Sequence, residues 1–589
     1  MTTELLQRAQ AWIAADPDPM TRRELEELIH ANDLNAIADR MNGRLEFGTA
    51  GLRGVLGAGP TRMNALVIRR ASAGLAAYVR QQLDVQRQVV KDLETYASPQ
   101  LAAYAERQHP QPAIIVGHDA RLRSDDFARQ AALVFAAAGI KVYLFQCLAA
   151  TPLVAWAVNR FNTAAGVMVT ASHNPPEYNG YKVYWNTGGQ IVPPHDTRIA
   201  EAIEAVPLDT IATADWDRAV ALGHIELLGD DVAQQYLENV LALPLPNDPD
   251  DRASLRIVYT AMHGVGAAYA LRLLDRAGFH TVIPVSEQVE PDGTFPTVRF
   301  PNPEEPGALA MALELAEEQK ADLIIANDPD ADRVAVAARD DEGTLRVFTG
   351  DQIGALLGDF LLRQSEGERA VGTTIVSSRM LAAIAQAHDA TCFETLTGFK
   401  WIADRAIALK EKGISFIFGY EEAIGYTVGE LVRDKDGISA ALAVATFAAR
   451  LHEHGLSLWD ALDALYMEHG VYLTGQRSIS LADNTGPLPG QRLRSSPPTH
   501  IGGVPVVRSI DLRLGTDTDN DPNMLALPKS DVLMYHLHDR SRVIVRPSGT
   551  EPKVKVYYEV IEPVEAHESI DDARQFAARR LAELMEADI

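Results

Sequence analysis

Thr170-Ala171-Ser172-His173-Asn174-Pro175 is the stretch that decides how this chain folds. The apolar run over 164–169 leads into it and reads as a buried strand. Asn174-Pro175-Pro176 cannot continue as a helix, because a residue before proline is driven out of the helical region, so a loop follows. Ser172 and His173 therefore lie just past the C-terminal end of a strand, where open α/β sheets place their ligands. A serine beside a histidine at such a place can take up a phosphoryl group. For a lone Ser-His pair a polar turn is the commoner explanation, so the rest of the chain must decide.

Upstream, 113–116 reads as a strand, 125–138 as a helix opened by the N-cap chemistry of Ser124-Asp125, 141–145 as a strand and 152–160 as a helix. This β-α-β-α-β order predicts a mainly parallel sheet with right-handed crossovers. Residues 181–184 return as a strand that brings Lys182 near the serine loop. Nearer the start, 4–15 and 22–39 are predicted as two amphipathic helices forming an N-terminal cap. Between cap and sheet lies Phe47-Gly48-Thr49-Ala50-Gly51-Leu52-Arg53-Gly54. Its glycines allow close backbone approach, and Arg53 is its only charge, a candidate phosphate contact.

Downstream, the α/β alternation repeats. Strands at 256–259, 281–284 and 323–326 and helices at 231–243, 267–277 and 307–319 predict a second unit. Its last strand empties into Asn327-Asp328-Pro329-Asp330-Ala331-Asp332-Arg333. Three carboxylates at alternate positions repel one another, and a hard cation with oxygen ligands, Mg²⁺, resolves that if the loop makes them converge. A third unit carries Thr397-Gly398-Phe399-Lys400-Trp401 and Gly419-Tyr420-Glu421-Glu422-Ala423, the latter at a strand end and suited to sugar hydroxyls. A smaller α+β unit closes the chain. Within it Arg546-Pro547-Ser548-Gly549-Thr550 supplies a guanidinium fork, two hydroxyls and backbone N–H groups that fit a dianionic phosphate.

Composition narrows the partners. The 589 residues are too many for one core. Lys+Arg minus Asp+Glu is 54 − 80 = −26, which argues against a nucleic-acid or anionic-membrane partner. An anionic substrate would then need basic residues or a metal gathered in its cleft. Cys147 and Cys392 are the only cysteines, which predicts a reducing, cytoplasmic compartment without disulfides. The longest nearly apolar runs, such as 131–140 and 438–449, are too short to span a bilayer.

The serine loop, the Asp-x-Asp-x-Asp-Arg loop, the Glu-Glu loop and the Arg-Pro-Ser-Gly-Thr loop occur in the order seen in α-D-phosphohexomutases. From Phe47 onward the chain resembles the phosphoglucomutase and phosphopentomutase branch of that superfamily. The resemblance implies three similar mixed-sheet α/β domains and a smaller C-terminal α+β domain around one central cleft, with boundaries expected at 1–211, 212–343, 344–471 and 472–589. It implies that Ser172 is phosphorylated and that Asp328, Asp330 and Asp332 hold Mg²⁺ with an oxygen of that phosphoserine. Lys400 matches a proton-carrying lysine, and His173 and Lys182 match positions near the reacting oxygens, while Arg53 with Mg²⁺ would offset charge on the transferring group. Glu421, Glu422 and Arg333 match substrate contacts, while Arg546, Ser548, Gly549 and Thr550 match the grip on the non-reacting phosphate. The activity so implied interconverts glucose 1-phosphate and glucose 6-phosphate through glucose 1,6-bisphosphate, which also serves as activator. A phosphopentomutase, a phosphatase using the same metal, and a non-catalytic sugar-phosphate sensor are the alternatives. A nucleotide kinase is disfavoured, since no Walker-type loop or kinase signature is present. Monomer and dimer are both compatible with the sequence. Pro329 and Ala331 replace glycines common in the family's metal loop, and Ala423 stands where many relatives have serine.

Overall fold

The computed structural model describes residues 2–48, 51–97, 111–246, 252–481, 488–547, 553–565 and 569–587. Two compact units emerge, one made of Met1–Pro244, Arg252–Val336 and Tyr426–Ala445, the other of Leu245–Asp251, Ala337–Gly425 and Thr446–Ile589.

The first unit opens with helices at Thr2–Ala15, Pro19–His30 and Leu34–Met41. The expected single helix over 22–39 is therefore two. Asn32 turns left-handed at φ 52°, and Asp33 caps the next helix by accepting from Ala36 N at 2.9 Å. The first sheet contains β1 (Gly51–Val55), β2 (Gln111–His118), β3 (Lys141–Phe145), β4 (Thr163–Val169), β5 (Tyr178–Trp185) and β6 (Ile225–Leu228), in the order β1-β5-β4-β2-β3-β6. Strands β4, β2, β3 and β6 are parallel, and β5 and β1 add antiparallel at one edge. Every residue of β4 is buried, which is why it reads as a continuous apolar run. The chain moves from β2 to β3 on one side and then to β4 on the other. That reversal opens a crevice at the carboxyl ends of β2 and β4. The helix after β2, Ser124–Ala137, lacks the expected side-chain cap. Ser124 Oγ donates instead to Asp119 Oδ1 at 2.7 Å, in the crevice.

The second sheet of this unit runs β10-β9-β7-β8, from β7 (Ile257–Thr260), β8 (Val282–Pro284), β9 (Leu323–Asn327) and β10 (Val334–Arg339). The three-aspartate loop joins β9 to β10.

In the second unit β11 (Leu345–Val347) pairs with the end of β10, and β12 (Arg369–Thr374) lies between β13 (Thr391–Thr395) and β14 (Ser415–Glu421), all three parallel. The chain returns to the first unit through β15 (Gly425–Val428). Helix Gly350–Arg363 starts on a capping box between Thr349 and Gln352. The C-terminal sheet is antiparallel, β16-β22-β21-β20-β18-β17, with β19 on β18. Its strands are β16 (Val471–Ser480), β17 (His500–Ile501), β18 (Val504–Asp511), β19 (Thr516–Asp517), β20 (Leu533–Leu537), β21 (Arg542–Pro547) and β22 (Lys553–Glu562). Helix Ile570–Glu586 packs on β16 and β22. The whole is three α/β domains plus a distinct C-terminal domain. Among the described residues no helix is long and apolar enough to cross a membrane.

Candidate active site

Past β4 the backbone turns sharply at Ser172, which has φ 51°. A serine in this region is strained and must be held by its surroundings. Ser172 N donates to Thr170 Oγ1 at 2.8 Å, and Thr170 Oγ1 donates to Asp119 Oδ2 at 2.6 Å. Arg121, its side chain fully enclosed, does the larger share. Its Nε and Nη2 donate to Ser172 O at 3.2 and 2.6 Å, Nη2 also to Asn174 O, and Nη1 to Pro175 O and Tyr178 O at 2.9 and 3.1 Å. Asp119 lies 3.6 Å from the same guanidinium, and the Phe295 ring lies 4.9 Å from it. One buried cation thus ties three carbonyls of the serine loop and the first carbonyl of β5 into a single shape.

That shape aims Ser172 Oγ at the metal loop. It donates to Asp328 Oδ2 at 2.8 Å and lies 3.2 Å from His173 Nδ1. Asp328, Asp330 and Asp332 are buried, and one oxygen from each falls within 4.8 Å of the others. Asp330 Oδ1 and Asp332 Oδ1 are buried without a hydrogen-bond partner. Converging, buried carboxylate oxygens without hydrogen-bond partners fit a hard divalent cation such as Mg²⁺. Lys182, delivered by β5, sits 2.7 Å from Asp330 Oδ2 and 3.0 Å from Asp332 Oδ2. Lys435 Nζ approaches Asp332 Oδ2 at 3.1 Å. Arg333 turns back to Asp328 Oδ2 at 3.0 Å and to Asn302 Oδ1 at 3.2 Å. Burial, against Arg333, pushes the Asp328 carboxyl up to about 7, with Asp330 and Asp332 adding to the rise. Burial acts on Asp330 too, but the Lys182 ammonium overrides it and holds that carboxyl well below the usual range. His173 is held neutral by its enclosure and by Arg333 and Arg53. Arg53 Nη1 reaches Asn174 Oδ1 at 2.9 Å, across the serine loop.

The glycine turn after β7 presses on the metal loop. Gly264 approaches so closely that a Cβ there would lie 2.3 Å from Pro329 Cα, and Val265 N donates to Pro329 O at 2.9 Å.

The second unit gathers its own group. Glu421 Oε1 accepts from Gly398 N at 2.7 Å, fixing the turn that launches the helix Phe399–Lys410. Lys400 is buried in the first turn of that helix, its Nζ 4.9 Å from the Trp401 ring. Glu422 Oε2 accepts from Ser377 Oγ at 3.3 Å and Thr374 Oγ1 at 3.4 Å. Burial, then Glu421 and Asp351, push the Glu422 carboxyl up to about 7. Arg546 lies at the end of β21, 5.9 Å from the Tyr557 ring. Ser548, Gly549 and Thr550 lie outside the described residues.

Four domain models of one family match in succession: phosphoglucomutase/phosphomannomutase α/β/α domain I over 93–209, domain II over 234–343, domain III over 349–469 and the C-terminal domain over 533–575. The chain is 43% identical over 472 residues to a Haemophilus influenzae protein named "Probable phosphomannomutase", covering 79% of this chain and 91% of that one. It is 34% identical to mouse phosphopentomutase, covering 96% and 91%, and 33% identical to human glucose 1,6-bisphosphate synthase, covering 93% and 89%. The chain belongs to the phosphoglucomutase/phosphomannomutase family.

As a member of this family, within the α-D-phosphohexomutase superfamily, it is an enzyme of the mutase type, an intramolecular phosphotransferase. A Burkholderia thailandensis phosphoglucomutase/phosphomannomutase family protein shares the fold, with a TM-score of 0.63 at 19% identity, covering 92% of this chain and 98% of that one. Sequence reasoning had not assigned roles to Arg121, Lys435 or Ser377. The only signal for Arg121 was its place in a polar turn after a strand, the same kind of place as Ser172.

Proposed function

We propose that Ser172 carries a phosphoryl group and exchanges it with the anomeric and terminal oxygens of an aldose monophosphate. Glucose 1-phosphate and glucose 6-phosphate are the first substrates to test, with glucose 1,6-bisphosphate as the species that turns over between the two transfers and as activator. The observation that carries this reading is the 2.8 Å approach of Ser172 Oγ to Asp328, inside a buried acidic trio with unsatisfied oxygens. Asp328, Asp330 and Asp332 would hold Mg²⁺, which when bound offsets charge on the transferring phosphoryl group. Arg53 and Lys182 add fixed positive charge to the same place. Neutral His173, with Nδ1 3.2 Å from Ser172 Oγ, can accept a hydroxyl proton, and Lys400 is the second candidate for that task. Glu421 and Glu422 accept from sugar hydroxyls, while Arg333, Arg546, Ser548, Gly549 and Thr550 contact the substrate's phosphate ends.

A second reading places a pentose 1-phosphate in the site. It is favoured by the relatives named phosphopentomutase and phosphoribomutase, which match over 93–96% of the chain. The kcat/KM values for glucose 1-phosphate and ribose 1-phosphate, measured with glucose 1,6-bisphosphate supplied, separate the two. Intact-mass spectrometry should show one phosphate on the wild-type chain and none on Ser172→Ala, which should not turn over. A Ser172→Ala chain that retained turnover would end the phosphoserine reading, and a phosphorylated chain inert on every sugar phosphate would favour a sensor.

A further inference from the structure

Away from Ser172, a cavity of about 700 Å³ lies between the N-terminal helices and the first sheet. Its volume falls in the range of small-molecule pockets, which are mainly apolar with a few polar groups. Phe47, Leu52, Val67 and Ile203 supply apolar wall, and Trp12 lines it from the first helix. Two polar features separate it from a packing gap. Trp12 is only 4% exposed, yet its indole N–H has no hydrogen-bond partner. Arg70 is half-buried and donates Nε to Val206 O at 3.2 Å and Nη2 to Glu204 O at 3.0 Å. Among the described residues its Nη1 has no acceptor and its charge no ion-pair partner. The other charges at the cavity are Arg44, paired with Glu204, and the exposed Glu46.

A buried indole N–H and a partly desolvated guanidinium both gain from an acceptor, the latter from an anionic one. We propose that this cavity binds a small organic anion, an apolar ring or chain packed on Phe47, Leu52, Val67 and Ile203 with its anionic head on Arg70 Nη1 and an acceptor for Trp12. The site is separate from the chemistry at Ser172. Leu52 and Arg53 are successive residues of β1, so their side chains leave opposite faces of the strand.

The test uses the full-length chain and 8-anilinonaphthalene-1-sulfonate, an aryl anion whose fluorescence rises on entering an apolar site. One saturable site per chain is expected. Arg70→Gln should weaken it about tenfold or more. Trp12→Phe keeps the ring and removes the donor, so it should weaken binding to a smaller degree. Val67→Trp fills the cavity from the helix Ala65–Tyr96 and should abolish binding. Arg70→Gln also gives up two bonds to main-chain carbonyls, so Trp12→Phe and Val67→Trp report on the cavity independently of them. Turnover by each variant of whichever sugar phosphate the wild type accepts should stay at the wild-type rate, and an unchanged far-UV circular dichroism spectrum shows that the chain is folded. Absence of a saturable site, or one whose dissociation constant is the same in wild type and in Val67→Trp, overturns the proposal.

Discussion

Arg121 and Ser172 are joined twice, by Nε at 3.2 Å and Nη2 at 2.6 Å on the same carbonyl oxygen, although 51 residues separate them. The nucleophile candidate is thus shaped by a cation that need not touch substrate. Arg121→Met removes the guanidinium donors to Ser172, Asn174, Pro175 and Tyr178 and leaves Asp119 buried beside no cation. Breaking such a buried pair costs about 3–5 kcal/mol. The double variant Asp119→Asn/Arg121→Met should recover part of that loss in urea unfolding. It should not recover kcat, because the Ser172 carbonyl stays without its two guanidinium donors. Recovery of kcat in the double variant would show that Arg121 matters for stability alone.

Gly264 has a different lever on the same site. An alanine there forces Pro329 to move, since its Cβ would meet Pro329 Cα at 2.3 Å and Pro329 O at 2.5 Å. Asp328 and Asp330 flank that proline. Gly264→Ala should therefore raise the Mg²⁺ concentration needed for half-maximal turnover, by about tenfold or more if ligand geometry slips as it does when supporting groups around a metal are lost. A Mg²⁺ titration of turnover checks it, and a chelator should silence both proteins.

Glu422 sets an expected pH dependence. Its carboxyl is raised to about 7, chiefly by burial, so it is charged only above that pH. If the carboxylate form accepts from the sugar, kcat/KM should fall as pH drops below about 7. Glu422→Gln should be weaker at pH 8 and should lose this acid limb. A limb unchanged in Glu422→Gln would assign it to another group.

Stability in acid should report on Asp517. Arg508 donates to both its oxygens, at 2.9 and 2.5 Å, and holds its carboxyl at about 2. A folded value below the unfolded one, about 3.9, means that the stabilisation is complete above about pH 4. It is lost as pH falls from about 4 to about 2. Wild type should be the more stable to urea than Asp517→Asn at pH 7, with the gap closing across that window.

Much of this was open to reading in the residues themselves. Strand β4 is buried on both faces, so its apolar run stands out, and the prolines after Asn174 forbid any outcome but a loop. The three aspartates at alternate positions stand out as a group that could hold a cation, and their oxygens do converge. Other features leave no such trace. Arg121 serves main-chain carbonyls, and every residue type has those. Lys435 reaches Asp332 from 103 positions away, as 435 − 332. Ser124 looks like a helix cap and is diverted to Asp119 because a buried carboxylate competes for its hydroxyl.

The order of residues alone determined which loops concentrate charge, hydroxyls and glycine, because charge, hydroxyl and backbone freedom are local properties. It also set the alternation of strands and helices, through the burial each demands. Only the tertiary structure decided that Ser172 Oγ meets Asp328 and that Lys182 divides itself between Asp330 and Asp332. Those encounters depend on how β4, β5 and the β9–β10 loop converge, and convergence arises from packing many side chains at once rather than from any one stretch.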